Sequence, residues 1–174
     1  GSRAPEIVYT GMWHLHPRFI DAVTAGVEAA LASIPVERRQ YAPLVFTAHS
    51  VPVAMAEGSP YVAEITASAG AVAERLGSAH WRVAYQSRSG SPHDPWLEPD
   101  VNDVLRTLAA DGARDVVVVP VGFVCDHVEV LYDLDVEARA TAASLGIGFA
   151  RASTVNDHPQ FIEMLADVVR EAQG

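Results

Sequence analysis

The sequence predicts an α/β fold: a three-layer domain with about four parallel strands flanked by helices. Two observations carry this. Short apolar runs alternate with segments of helical periodicity along most of the chain, which is the pattern of α/β layering. The runs are also continuous rather than alternating. "DVVVVP" (115–120) is the clearest, and such strands are buried on both faces, as in a parallel sheet between helices.

Taken in order, "EIVYT" (6–10) reads as a strand or a linker. Pro17 suits the first turn of a helix, where its missing N–H would be unpaired anyway. Phe19, Ile20, Val23, Val27, Ala30 and Leu31 then recur at spacings of three and four. "IPVERRQYAP" (34–43) breaks that pattern, and "LVFTA" (44–48) reads as the first buried strand. Pro60 opens a second helix, from about 61 to 76, which Gly77 closes. "RVAYQ" (82–86) is the next strand, and "SRSGSPHDPWLEP" (87–99) is a loop by its Gly, Pro and Ser content. A helix over roughly 100–110 ends at Asp111-Gly112, before the strand at 115–120. "VGFVC" (121–125) is a loop, a helix runs from about 126 to 144, and "GIGFAR" (146–151) is the fourth strand. Pro159 opens the last helix, to about 172.

Composition narrows the function. The 174 residues suit one domain. Lys plus Arg is 12 against 22 Asp plus Glu, a net charge of −10 that argues against a surface built for nucleic acid or anionic lipid. Hydrophobic residues at 49% and charged residues at 20% exclude wholesale disorder. No apolar run approaches the roughly 20 residues a membrane span needs. The single cysteine, Cys125, excludes an internal disulfide and any zinc or iron–sulfur site built from several cysteines of this chain. Cys125 itself reads as structural. A soluble, cytoplasmic protein is expected. Gly1-Ser2 looks like a tag scar and no signal peptide follows, so residues 1–15 read as scar and linker ahead of a domain at 16–174.

In open α/β sheets, ligands bind beyond the carboxyl ends of the strands. His49, Ser50, Ser87, Arg88, Trp96, Phe123, Asp126, His127 and Glu129 all fall there. "DHVEVLYDLDVE" spaces Asp126, Glu129, Asp133 and Glu137 at +3, +4 and +4, one stripe of a helix. Like charges at that spacing repel. Leu131, Leu134 and Ala138 lie beside the stripe and look core-facing. A solvated acidic face is one reading. The better one is a site or a path for a cation, with an imidazole widening the choice to iron, cobalt or zinc. His49 reads either as a hydrogen-bonded core residue or as the partner of Glu129, able to accept a proton or bind a metal. His127 reads as structural or supporting, and His14, His16, His80 and His93 as surface or loop residues. "HPRFIDAV" (16–23) echoes "HPQFIEML" (158–165), through either duplication or shared helix-start chemistry.

"LVFTAHSVP", "YQSRSG", "DPWLEPDV", "PVGFVCDHVEVLYDLD" and "NDHPQFIEMLADVV", in this order and spacing over about 43–172, resemble the ferrochelatase family. "VEVLYDLD" most resembles the bacterial enzymes that insert Fe²⁺ into coproporphyrin III to give coproheme. The resemblance implies two similar Rossmann-like halves with a porphyrin cleft between them. It places the catalytic, metal-binding histidine on His49 and the essential glutamate on Glu129. Further acids of a route or outer metal site fall on Asp133 and Glu137. The cleft tryptophan falls on Trp96, and Ser50, Gln86, Ser87 and Arg88 fall at the cleft wall. Family members are roughly twice as long, and every matched motif belongs to their second half. The resemblance therefore implies a carboxyl-terminal, metal-handling half whose partner is an absent amino-terminal half. Fe²⁺ and porphyrin are implied as substrates, with no tightly bound cofactor and no iron–sulfur cluster. The alternatives are a non-catalytic domain that binds metal or tetrapyrrole, and a half-size chelatase that completes its cleft by homodimerisation.

Overall fold

A computed structural model describes residues 7–90 and 94–173. His93, expected in a loop, lies outside the described residues, as does Glu6 of the first segment. The elements are α1 (Pro17–Ala32), α2 (Val36–Arg39), β1 (Leu44–His49), α3 (Val53–Glu57), α4 (Tyr61–Arg75), β2 (Trp81–Gln86), α5 (Val101–Ala110) and β3 (Asp115–Val119). They continue with α6 (Val128–Val130), a π-helical segment (Leu131–Ala138), α7 (Arg139–Ser144), β4 (Gly148–Arg151) and α8 (Pro159–Gln173). The four strands are parallel, in the order β2-β1-β3-β4.

Strand alternation builds the three layers. Leu44 and Phe46 of β1, and Val117 and Val119 of β3, point into one core with α1, α4 and α8. Val45 of β1, and Val116 and Val118 of β3, point into the other, with α5 and the helix after β3. Both faces of the two central strands, β1 and β3, are thus dry, which is why these strands read as unbroken apolar runs.

The two "HP" segments share a physical role. His16 Nδ1 accepts the backbone N–H of Arg18 at 3.2 Å, and His158 Nδ1 accepts that of Gln160 at 3.3 Å. In each, a histidine caps a helix whose next residue is proline. The helices they start, α1 and α8, pack in the same core.

Two expectations need correction. Residues 7–13 form neither helix nor strand, yet Trp13 packs edge-on against Phe19 at 5.2 Å and reaches Phe161 at 6.1 Å. The domain's packing therefore begins before residue 16. The helix expected from 126 begins at Val128, because Asp126 is drawn to Arg151 at 2.9 Å instead. Among the described residues, no helix is long and apolar enough to cross a membrane.

Candidate active site

The strand order places a topological switch between β1 and β3: the chain leaves β1 for one neighbour and returns on its other side. Crevices in such sheets open at that point, outside the carboxyl ends. His49 is the last residue of β1, and Glu129 lies at the start of the helix that follows β3. Their side chains meet there, His49 Nε2 lying 3.4 Å from Glu129 Oε1.

The tautomer of His49 follows from its other nitrogen. Nδ1 is 2.6 Å from the carbonyl oxygen of Ser50, which can only accept, so Nδ1 carries the proton. In the neutral ring Nε2 then presents its lone pair toward the carboxylate. Two electron donors facing each other call for a proton or a cation between them. Both side chains remain accessible, 34% and 40% exposed, so a ligand can reach them. Among the described residues, no three His, Cys, Asp or Glu side chains gather into a group able to hold a metal. The arrangement is an open pair of donors rather than a closed cage.

Supports surround His49. Tyr61, the first residue of α4, donates its hydroxyl to the His49 carbonyl at 2.9 Å. Burial pushes the Tyr61 phenol above its ordinary value; the nearby Tyr85 adds to this, and the His49 bond opposes it. Burial likewise raises Tyr85. The Phe123 ring lies 6.4 Å from that of His49 and 5.5 Å from that of His127. His127 is the N-cap of α6, its Nδ1 accepting the N–H of Val130 at 3.4 Å.

The acidic row is carried by an unusual helix. From Leu131 to Ala138 the winding is π, with the Arg139 N–H reaching the carbonyl of Leu134, five residues back. Four residues overshoot an α turn of about 3.6 residues but fit the wider turn more closely. Val130, Leu134, Ala138 and Ala142 form the fully buried row of this helix, and Glu129, Asp133 and Glu137 form the row beside it. Leu131, expected in the core, is instead exposed, because the buried row runs through Val130 and Leu134. Asp126, expected in the acidic stripe, precedes the helix and is committed elsewhere.

The expected wall residues divide into two groups. Gln86 ends β2 and Ser87 follows it, and both bond Asp133 Oδ2: Gln86 through Nε2 at 3.5 Å, and Ser87 through its hydroxyl. They line a small cavity of about 200 Å³ with Arg88, Asp100, Asp133 and Glu137. Ser87 turns with φ at +61°, a left-handed conformation that aims its hydroxyl back at the helix. Arg88 is exposed, its guanidinium 3.5 Å from the Asp94 carbonyl.

The second group forms the Trp96 side. Ser50 is buried, and its hydroxyl donates to the Leu97 carbonyl at 2.9 Å. Backbone bonds from Leu97 to Val51 (3.0 Å) and from Val53 to Pro95 (2.9 Å) clip the tryptophan loop against the segment after β1. Trp96 is held half-buried, its indole so close to Gly90 that a Cβ there would sit 2.7 Å from Cζ2. Ser50 thus positions Trp96.

Sequence reasoning passed over two contributors, Tyr61 and Arg151. Neither stands in a polar cluster of the sequence, and each acts through a backbone or helix that only the fold brings near.

Comparison with known proteins identifies the family and the fold. The ferrochelatase family model matches residues 1–173. The coproporphyrin III ferrochelatase of Mycolicibacterium smegmatis is 44% identical over 174 residues, spanning 98% of this chain and 51% of the relative. That of Propionibacterium freudenreichii is 48% identical over 178 residues, spanning 97% and 49%. The chain spans about half the length of these curated relatives. Among solved structures, SirB from Bacillus subtilis with Fe³⁺ superposes with a TM-score of 0.63 at 16% identity, covering 95% of this chain and 57% of that one. The sirohydrochlorin chelatase SirB from Bacillus subtilis subspecies spizizenii, in complex with cobalt, gives 0.55 at 15%, covering 95% and 54%. These structures share the fold. With the family model matching nearly its whole length, the chain belongs to the ferrochelatase family.

Proposed function

We propose that this chain forms the metal-handling wall of an enzyme that inserts Fe²⁺ into coproporphyrin III to give coproheme. The observation that carries the proposal is the His49–Glu129 pair, open to an incoming ligand at the switch point of the sheet. The relatives named coproporphyrin III ferrochelatase support the choice of porphyrin.

Insertion exchanges two pyrrole N–H protons for one divalent ion. The Nε2 lone pair of His49 suits proton acceptance, and Glu129 beside it stabilises the resulting imidazolium or takes the proton onward. A pair of protein donors leaves coordination positions on Fe²⁺ for the porphyrin nitrogens, which a closed four-ligand site would deny. Asp133 and Glu137 continue the acidic row toward the cavity at the end of β2 and supply a path for iron in or protons out. Trp96 offers an aromatic face at the loop edge for the macrocycle. Gln86, Ser87 and Arg88 border the path on the β2 side.

In this reading the opposite wall of the cleft comes from an amino-terminal half, in keeping with the half-length match to the relatives. We assign no iron–sulfur cluster to this chain by itself, since its one cysteine cannot hold one alone. The exposed free thiol of Cys125 fits a reducing compartment, and we place the reaction in the cytoplasm.

The test is Fe²⁺ insertion into coproporphyrin III by the protein that carries this sequence at its native length. His49→Ala and Glu129→Gln are each expected to abolish turnover. Full activity in both variants would overturn the assignment.

A further inference from the structure

A π-helical stretch of eight residues is a rare winding and needs support from outside itself. On the inner side that support is the buried row from Val130 to Ala142. On the other side it is Arg151, at the end of β4. Its Nε lies 3.0 Å from both carboxylate oxygens of Asp135, and a terminal nitrogen lies 2.9 Å from Asp135 Oδ2. Its other terminal nitrogen reaches Asp126 Oδ1 at 2.9 Å and the Ala152 carbonyl at 3.2 Å. The side chain is only 13% exposed. Asp126 is fixed in turn by the Thr154 N–H at 3.3 Å and by Asn156, which donates to Oδ2 at 3.2 Å and accepts the Asp126 N–H at 2.9 Å.

We propose that Arg151 is a positioning residue that sets the register of the helix carrying Glu129, Asp133 and Glu137. One planar guanidinium grips the chain at Asp126, three residues before Glu129, and at Asp135, two residues after Asp133. Two grips nine residues apart fix both the rotation of the segment and its distance from β4. The contact between Glu129 and His49 is set by that rotation. A lysine has one charged nitrogen and no fork, so it cannot hold both carboxylates in this geometry.

The importance of the clamp for metal handling rests on the function proposed above; the clamp itself does not. The experiment therefore has two arms on the same 174-residue chain, wild type and Arg151→Lys. In amide hydrogen exchange, the variant is expected to lose about tenfold or more of its protection in residues 131–138, with β1 and β3 unchanged. In titration with Co²⁺, a coloured probe of the His49–Glu129 pair, the variant is expected to bind roughly 10-fold or more weakly and with an altered visible spectrum. Unchanged exchange at 131–138, or an equal loss in every strand, overturns the clamp. A wild type without a Co²⁺ spectrum overturns the metal reading and leaves exchange to decide the clamp. Should Arg151→Lys fail to fold, Asp126→Ala removes one grip outright, and the same outcomes apply.

Discussion

Ser50 and Trp96 lie 46 positions apart in the chain, yet the buried Ser50 hydroxyl, bonded to the Leu97 carbonyl at 2.9 Å, holds the loop that presents the indole. Ser50, expected at the cleft wall, is buried against the loop that carries the other expected wall residue, Trp96.

Ser50→Ala removes that bond and leaves a carbonyl short of a partner. It is expected to cost about 1 kcal/mol in urea unfolding. Coproporphyrin III, followed by tryptophan quenching, should also bind more weakly, because the loop under Trp96 loosens. Unchanged porphyrin affinity alongside a measurable stability loss would confine Ser50 to folding.

The winding after β3 makes a sharp distinction between two leucines. Leu134 is fully buried and Leu131 is exposed. Leu134→Ala is expected to destabilise by about 2–5 kcal/mol, and Leu131→Ala by no more than about 0.5 kcal/mol, as at ordinary surface sites. Denaturant unfolding of the two variants reads this directly. Equal losses would show that the buried row runs elsewhere.

Gly90 combines a φ of +144° with the indole of Trp96 against its missing side chain. Gly90→Ala should move the tryptophan, since the backbone strain and the clash act together. Near-UV circular dichroism is expected to change while the far-UV spectrum stays as it is. An unaltered near-UV spectrum would place the ring away from Gly90.

Tyr61 and Tyr85 bear on pH dependence. Burial raises both phenols in the folded state, with Tyr85 adding to the effect on Tyr61. An acid whose folded value lies above its unfolded one contributes stability that is complete below about pH 10, the ordinary tyrosine value. That contribution is lost as pH rises through the folded value. Two of the five tyrosines should therefore ionise late in a tyrosinate absorbance titration, and thermal stability should fall over the same interval. Tyr61→Phe should remove one late-titrating ring. A titration in which all five ionise together contradicts this.

Much of the architecture was legible because the central strands of the parallel sheet are dry on both faces. Runs such as Val116–Val119 have no other home, and Gly77, Gly112 and Gly146 adopt positive φ at the helix ends where the sequence places them. The placement of the candidate residues was legible at the strand ends: His49 closes β1, Gln86 closes β2 with Ser87 next, and Glu129 follows β3. What stayed hidden depends on winding and on long-range contact. An i,i+4 acidic row reads the same on α and π turns, so the exposure of Leu131 could not be seen. Asp126 sits one turn ahead of Glu129 in the sequence pattern, but Arg151, 25 residues away, draws it off the helix. Tyr61 joins the site through a backbone carbonyl, a contact that leaves no mark in the local pattern.

The His49–Glu129 pair is decided by anaerobic Fe²⁺ titration of the 174-residue chain beside its His49→Ala and Glu129→Gln variants. One equivalent bound by the wild type, with each variant weakened by roughly 10-fold or more, is the expected result. Equal binding by all three, or none by the wild type, contradicts it.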